Sequence, residues 1–194
     1  MTILYSFVNF GVGCENINKK VLRLHILANS DTAIDQNIKM KIKNEIQNFA
    51  NKVLQNVKNK EEAIKICNEN LGNMEKIIYK ELRKNNENDK KIEIKLGENF
   101  FNTREYSSIT MPAGTYDSLQ IKIGSGKGQN WWCILFPILC LGVAHANSTL
   151  IVFNENERKI TTSKKPNLKF KFKILELHET LKKHIRNIFH KKSL

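Results

Sequence analysis

No apolar run in this chain of 194 residues reaches the roughly 20 residues that a helix needs to cross a bilayer. The longest candidates, 1–13 and 134–146, both fall short, which excludes a multi-span membrane protein. Arginine is scarce: Arg23, Arg83, Arg104, Arg158 and Arg186 are the only ones among 32 basic residues. A nucleic-acid reader more often clusters Arg, whose guanidinium pairs bidentately with phosphate and guanine, so DNA or RNA binding stands as the alternative reading only. The four cysteines, Cys14, Cys67, Cys133 and Cys140, form no CxxC pair, and no His stands at zinc-finger spacing, so no metal site is expected.

What is present points to a folded domain. Apolar residues make up 41% of the chain, with ten Phe and two Trp, enough to build a core and rule out disorder for the bulk. The net charge is +13, and its distribution is uneven. Residues 164–194 carry ten basic and two acidic side chains, so most of the excess sits in a tail. The first residues, MTILYSFVNFGVGC, have the length of a signal-peptide apolar region but no preceding Lys or Arg and no clear cleavage site, an incomplete export signal. The alternative is an ordinary first strand of a cytosolic domain. Gly11 stands where a lipoprotein site needs an aliphatic residue, which argues against acylation of Cys14.

Residues 21–28, VLRLHILA, alternate apolar Leu22, Leu24 and Ile26 with Arg23 and His25 and predict a strand. After Asn29-Ser30-Asp31, Thr32 stands three residues before Asp35 at capping-box spacing, and Ile34, Ile38, Ile42, Ile46, Phe49, Val53 and Val57 predict an amphipathic helix. A second helix is expected over 60–83, with Ile64, Cys67, Leu71, Met74, Ile78 and Leu82 on one face and Gly72 as a weak point. Ile92, Ile94 and Leu96 predict a strand ended by Gly97. Segments 104–110 and 115–123 read as an antiparallel hairpin turning at Pro112-Ala113-Gly114. The expected fold is α+β: a two-layer sandwich of order β-α-α-β-β-β, an antiparallel sheet with a helical hairpin on one face and a basic C-terminal helix.

No catalytic residue or cofactor site is nominated. GSGKG at 124–128 lacks the Walker spacing and no helix follows it, so it reads as a flexible turn rather than a phosphate cradle. His25 with Cys133, Cys140 and His145 contains a thiol and a base, but the apolar run WWCILFPILC raises a thiol's pKa. Asp31, Asp35 and Glu98 read as cap and turn residues. Cys133 and Cys140 flank ILFPIL; either they meet across the turn at Pro137 in an oxidising compartment, or they remain buried thiols.

Asn130-Trp131-Trp132 is least explained by folding needs. Adjacent strand residues face opposite sides, so one Trp is expected to face a partner unless both are buried between sheet and tail. The alternation that buries Leu22, Leu24 and Ile26 turns Arg23 and His25 away, and with Asn29, Asp31, Arg104 and Tyr106 they are expected to form a polar surface. Near the C-terminus, Leu175, Leu177, His178, Leu181, Ile185, Ile188 and Phe189 among Lys182, Lys183, Arg186 and Lys191 describe a basic amphipathic helix. It suits an anionic membrane surface or a face docked on the domain.

The stretches LRLHILANSDTAIDQ at 22–36, FFNTREY at 100–106 and MPAGTYDSLQIKIGSGKGQNWWCILFPILC at 111–140 resemble stage II sporulation protein R of endospore-forming bacteria. The resemblance implies a signalling ligand, not an enzyme, made in the forespore and exported into the intermembrane space. There it would trigger the membrane-embedded aspartic protease of the mother cell that processes the sigma-E precursor. On this reading 1–20 is a partial export-signal-like segment, 21–153 the α+β signalling domain, and 154–194 a basic tail. No small-molecule substrate or nucleic acid is expected as a partner.

Overall fold

Leu22, Leu24 and Ile26 point to one side of strand β1 (Leu22–Leu27) and are fully buried there, as their alternation predicts. The computed structural model describes residues 2–106, 109–138, 152–162 and 166–191. The chain divides into two units, one of Val21–Asn99 with Asp117–Val152, the other of Met1–Lys20, Phe100–Tyr116 and Phe153–Leu194. This division differs from the linear one expected at 21–153, because 100–116 groups with the two chain ends.

The first unit is α+β. Helix α2 (Ala33–Leu54) starts where expected: the Thr32 hydroxyl accepts from the Asp35 amide at 3.3 Å, satisfying one of the amides that an N-terminus leaves unpaired. It buries Ile38, Ile42, Ile46 and Leu54, while Ile34, expected on the same stripe, is exposed in the first turn. The second helix is two, α3 (Lys60–Glu69) and α4 (Leu71–Lys84), broken at Asn70 rather than Gly72. Asn70 has left helical geometry, and its side chain caps back onto the Ile66 carbonyl at 2.9 Å. Ala63, Cys67, Met74, Ile78 and Leu82 complete the helical side of the core.

The sheet is mixed, in the order β2-β5-β1-β6, with β2 (Ile92–Phe101), β5 (Gly114–Ile123) and β6 (Asn130–Phe136). The expectation of an antiparallel sheet is corrected: β1 runs parallel to β5, from Leu22 opposite Asp117 to Leu27 opposite Lys122. A parallel pair needs a crossover connection, and α2 to α4 lie on that path. Only β6 pairs antiparallel with β1, with a bulge at Leu22/Arg23. Gly97 does not end β2, since its carbonyl accepts the Ser118 hydroxyl at 3.0 Å and the edge strand continues.

In the second unit, 104–110 is not one strand. The Tyr106 amide donates to Ile109 O at 2.7 Å and folds the chain back, so β3 (Arg104–Glu105) and β4 (Thr110–Met111) pair as a separate two-stranded sheet. Residues 2–20 form helix α1 (Thr2–Lys20), not a first strand, burying Phe10, Cys14 and Ile17 at helical spacing. Gly13 of α1 lies so close to α5 (Glu155–Thr162) that a Cβ there would stand 2.5 Å from Ile160. Buried Glu157 and Asn154 cap α5 reciprocally, and Lys20 pairs with Glu157 at 2.7 Å. Helix α6 (Pro166–Lys191) docks Phe172 edge-on against Phe10, ring centroids 5.1 Å apart.

Candidate functional site

Because β5 and β1 are parallel and β6 lies on the far side of β1, residues 124–129 must pass over the end of β1. The passage spans two inter-strand spacings, about 10 Å, which six residues cover easily. It is a tight crossing. Gly128 N donates to Ala28 O at 2.9 Å, Lys127 N to Asn29 O at 3.2 Å, and the Ser125 hydroxyl to Asn29 O at 2.6 Å. A Cβ on Gly128 would stand 2.2 Å from the Ser30 carbonyl oxygen, and Gly124 and Gly126 adopt positive φ of 56° and 66°. GSGKG is thus not the flexible turn its composition suggested; its glycines let two backbones touch.

Beneath the crossing lies Asp35. Its carboxylate accepts from Asn29 Nδ2 at 2.9 Å and from the Ser30 hydroxyl at 2.5 Å, and pairs with Lys90 Nζ at 2.8 Å. Burial opposes its ionisation, but the donors from Lys90, Ser30 and Asn29 outweigh it and hold the carboxyl at about 2. Asn29 reaches both ways, its Oδ1 accepting from Ser125 N at 2.9 Å. Asp31 accepts from Gln129 N at 2.6 Å, and buried Lys39 donates to Gln129 O at 2.9 Å. Lys39 and Lys90 are participants that sequence reading missed. Asp35, Lys39 and Lys43 recur every fourth residue on α2, a periodicity that places them on one face toward the loop.

The crossing delivers the chain to Asn130, Trp131 and Trp132, opposite Leu27, Ile26 and His25. Trp131 packs against the core, with Lys43 Nζ 5.0 Å above its ring and its Nε1 buried without a hydrogen-bond partner among the described residues. Trp132, on the other face, stacks on His25 with ring centroids 3.7 Å apart. Burial pulls the His25 pKa down to about 4, against the opposing hydrogen bond with Asn130, so the stacked imidazole is neutral at pH 7. Asp31, Ser125, Lys127, Gln129 and Asn130 are exposed around the two half-buried Trp side chains.

The structure therefore brings His25, Asn29, Asp31, Asn130, Trp131 and Trp132 together. Arg23 is corrected: it is fully buried, donating from Nε to Cys133 O at 3.1 Å, because the second face of β1 is covered as well as the first. Arg104 and Tyr106 belong to the other unit. Cys133 faces the core with the Gln47 amide 3.1 Å from its sulfur, while Cys140 and His145 lie outside the described residues. Cys14 and Cys67 are free and buried, and desolvation pushes both thiols up to about 12, which removes them as nucleophiles near neutral pH.

Residues 18–146 match the family described as stage II sporulation protein R. The chain is 33% identical over 124 residues to stage II sporulation protein R of Bacillus subtilis (strain 168), a match covering 64% of this chain and 55% of that protein. The chain thus spans about half the length of that curated relative. No solved structure matches it. The family match takes in β1, the Asp35 hub, the glycine crossing and both Trp residues, the elements that form this end of the sheet. The chain belongs to the stage II sporulation protein R family.

Proposed function

We propose that this chain is an intercompartmental signal, made in the forespore and exported into the intermembrane space, which triggers the membrane-embedded aspartic protease that processes the sigma-E precursor. It acts as a ligand, and its contact surface is the loop end of the sheet around Asp31, Asn130 and Trp132. The observation that carries this reading is the pairing of an exposed polar apron with half-buried Trp side chains, inside the stretch that matches the family. A Trp set among polar groups is the residue type most enriched where partners bind tightly. Among the described residues, no group of three or more His, Cys, Asp or Glu side chains is placed to hold a metal ion, and no helix is long and apolar enough to cross a membrane.

The test is complementation. A sporulating strain deleted for its own stage II sporulation protein R receives this chain behind a functional export signal, and precursor processing is followed by immunoblot. Restored processing that is lost when the export signal is removed supports the reading. A stable, exported chain that restores nothing refutes it.

A further inference from the structure

Helix α6 docks by Phe172 and leaves a second apolar stripe on its opposite side. Phe170, Ile174, Leu177 and Leu181 are 64%, 40%, 64% and 55% exposed. At about 100° per residue their spacing of four, three and four residues gathers them into one arc of about 60°. Phe172 falls some 200° from Phe170 by the same rule, which is why one face is packed and the other bare. Lys169, Lys173 and Lys182 flank the stripe, each more than half exposed, and pair loosely with Glu105, Glu176 and Glu179 at 3.6, 3.8 and 3.3 Å, contacts exposed enough at the lysine to contribute little and to be exchanged for a lipid phosphate. By the same helical rule Lys173 and Lys182 stand on either flank between the bare arc and the packed side, where Glu176 and Glu179 lie.

We propose that α6 is a peripheral membrane-binding helix, seating Phe170, Ile174, Leu177 and Leu181 in the acyl boundary of an anionic phospholipid surface with Lys169, Lys173 and Lys182 against the headgroups. Charge selects this occupant. A second copy seated on the same stripe would bring an identical lysine rim against the first, in a tail with ten basic and two acidic residues. A lipid surface supplies the opposite sign together with apolar depth, and lysine stems lie along the apolar boundary while their ammonium groups stay in water. The inference rests on α6 alone and is independent of which protease the protein meets.

The test is flotation of the full chain with vesicles of phosphatidylcholine alone and with phosphatidylglycerol added. The expected result is binding to the anionic vesicles at least about tenfold tighter than to the neutral ones, and weakened by salt. Replacing Phe170→Ser with Leu177→Ser lowers that binding by roughly a hundredfold, since two large side chains no longer leave water. The thermal midpoint is unchanged, because neither side chain is packed in the free protein. Replacing Lys169, Lys173 and Lys182 by Gln brings binding down to the neutral-vesicle level. No binding, equal binding to both vesicle types, or full binding by the serine variant each overturns the proposal. So does sedimentation showing a dimer that the serine variant dissociates, which would assign the stripe to a second copy.

Discussion

Trp132 lies nearly parallel on His25, directly across the β1–β6 pair, with 9° between the ring planes. The imidazole is buried and its pKa is depressed by that burial, which makes stability depend on pH. In the unfolded chain His25 takes up a proton near its ordinary 6.5, whereas in the folded protein it resists down to about 4. The folded pKa is depressed, so stability is complete above 6.5 and falls as the pH drops through 4, by on the order of 3 kcal/mol. Denaturant melts between pH 7 and 4 should show this loss, and His25→Phe, which keeps a ring on Trp132, should remove that part of it. An unchanged pH slope in the variant would refute the assignment.

Asp35 works in the same direction at lower pH. Its folded pKa of about 2 lies below the ordinary 3.8, so its contribution is full above 3.8 and disappears as the pH falls through 2. Replacing Asp35→Asn takes one of two carboxylates from the largely buried Lys90 ammonium, which keeps Glu87 at 2.5 Å, and a cost of about 2 kcal/mol is expected. Lys90→Met in the same background should recover part of it. Additive costs in the double variant would mean that the two residues are not coupled.

Much of this was legible in the sequence, for a definable reason. Periodicity reports which side chains turn inward, so β1, the capped α2 and the inward residues of β5 could be read directly. It does not report strand order, and the parallel β1–β5 pair is invisible until the crossover is drawn. Nor does alternation say whether the second face of a strand is covered: Arg23 reads as a surface residue and is fully buried. The glycines of 124–128 show the same limit, because composition gives their freedom but not the neighbouring backbone that requires it. Lys90 was hidden for another reason, being 55 positions from Asp35 in the chain.

Two glycines make a matched test of that last point. Gly128→Ala places a methyl 2.2 Å from the Ser30 carbonyl oxygen, and the contact is backbone on backbone, so the crossing must open. A loss of roughly 2 kcal/mol or more is expected. At Gly72, in the first turn of α4, an added Cβ meets nothing within 4 Å, and Gly72→Ala should stabilise by about 0.5–1 kcal/mol. Equal effects in thermal or urea melts would mean that the loop accommodates the methyl.

The two tryptophans should separate stability from signalling. Trp131 is packed against the core beneath Lys43, so Trp131→Ala is expected to cost about 3 kcal/mol and to lower function through folding. Trp132 lies on the opposite face of β6 from Trp131, and Trp132→Ala should be milder in melts yet abolish precursor processing in the complementation strain. Processing that survives Trp132→Ala, or a loss that simply tracks stability in both variants, would remove Trp132 from the contact.

Cys133 is disulfide-bonded in the structure, and if the chain is exported as proposed its partner is expected to be Cys140. Cys14 and Cys67 are free and deeply buried, their thiols pushed up to about 12. Both should therefore resist alkylation in the native state and react only after unfolding. Mass spectrometry of the non-reduced protein, alkylated in denaturant, should find two adducts, at Cys14 and Cys67, rising to four after reduction. A loop this short contributes roughly 2–3 kcal/mol in the chain-entropy model, so the oxidised protein should melt above the reduced one. Four adducts without reduction would rule out the bridge, and with it the reading of these cysteines as a mark of an oxidising compartment.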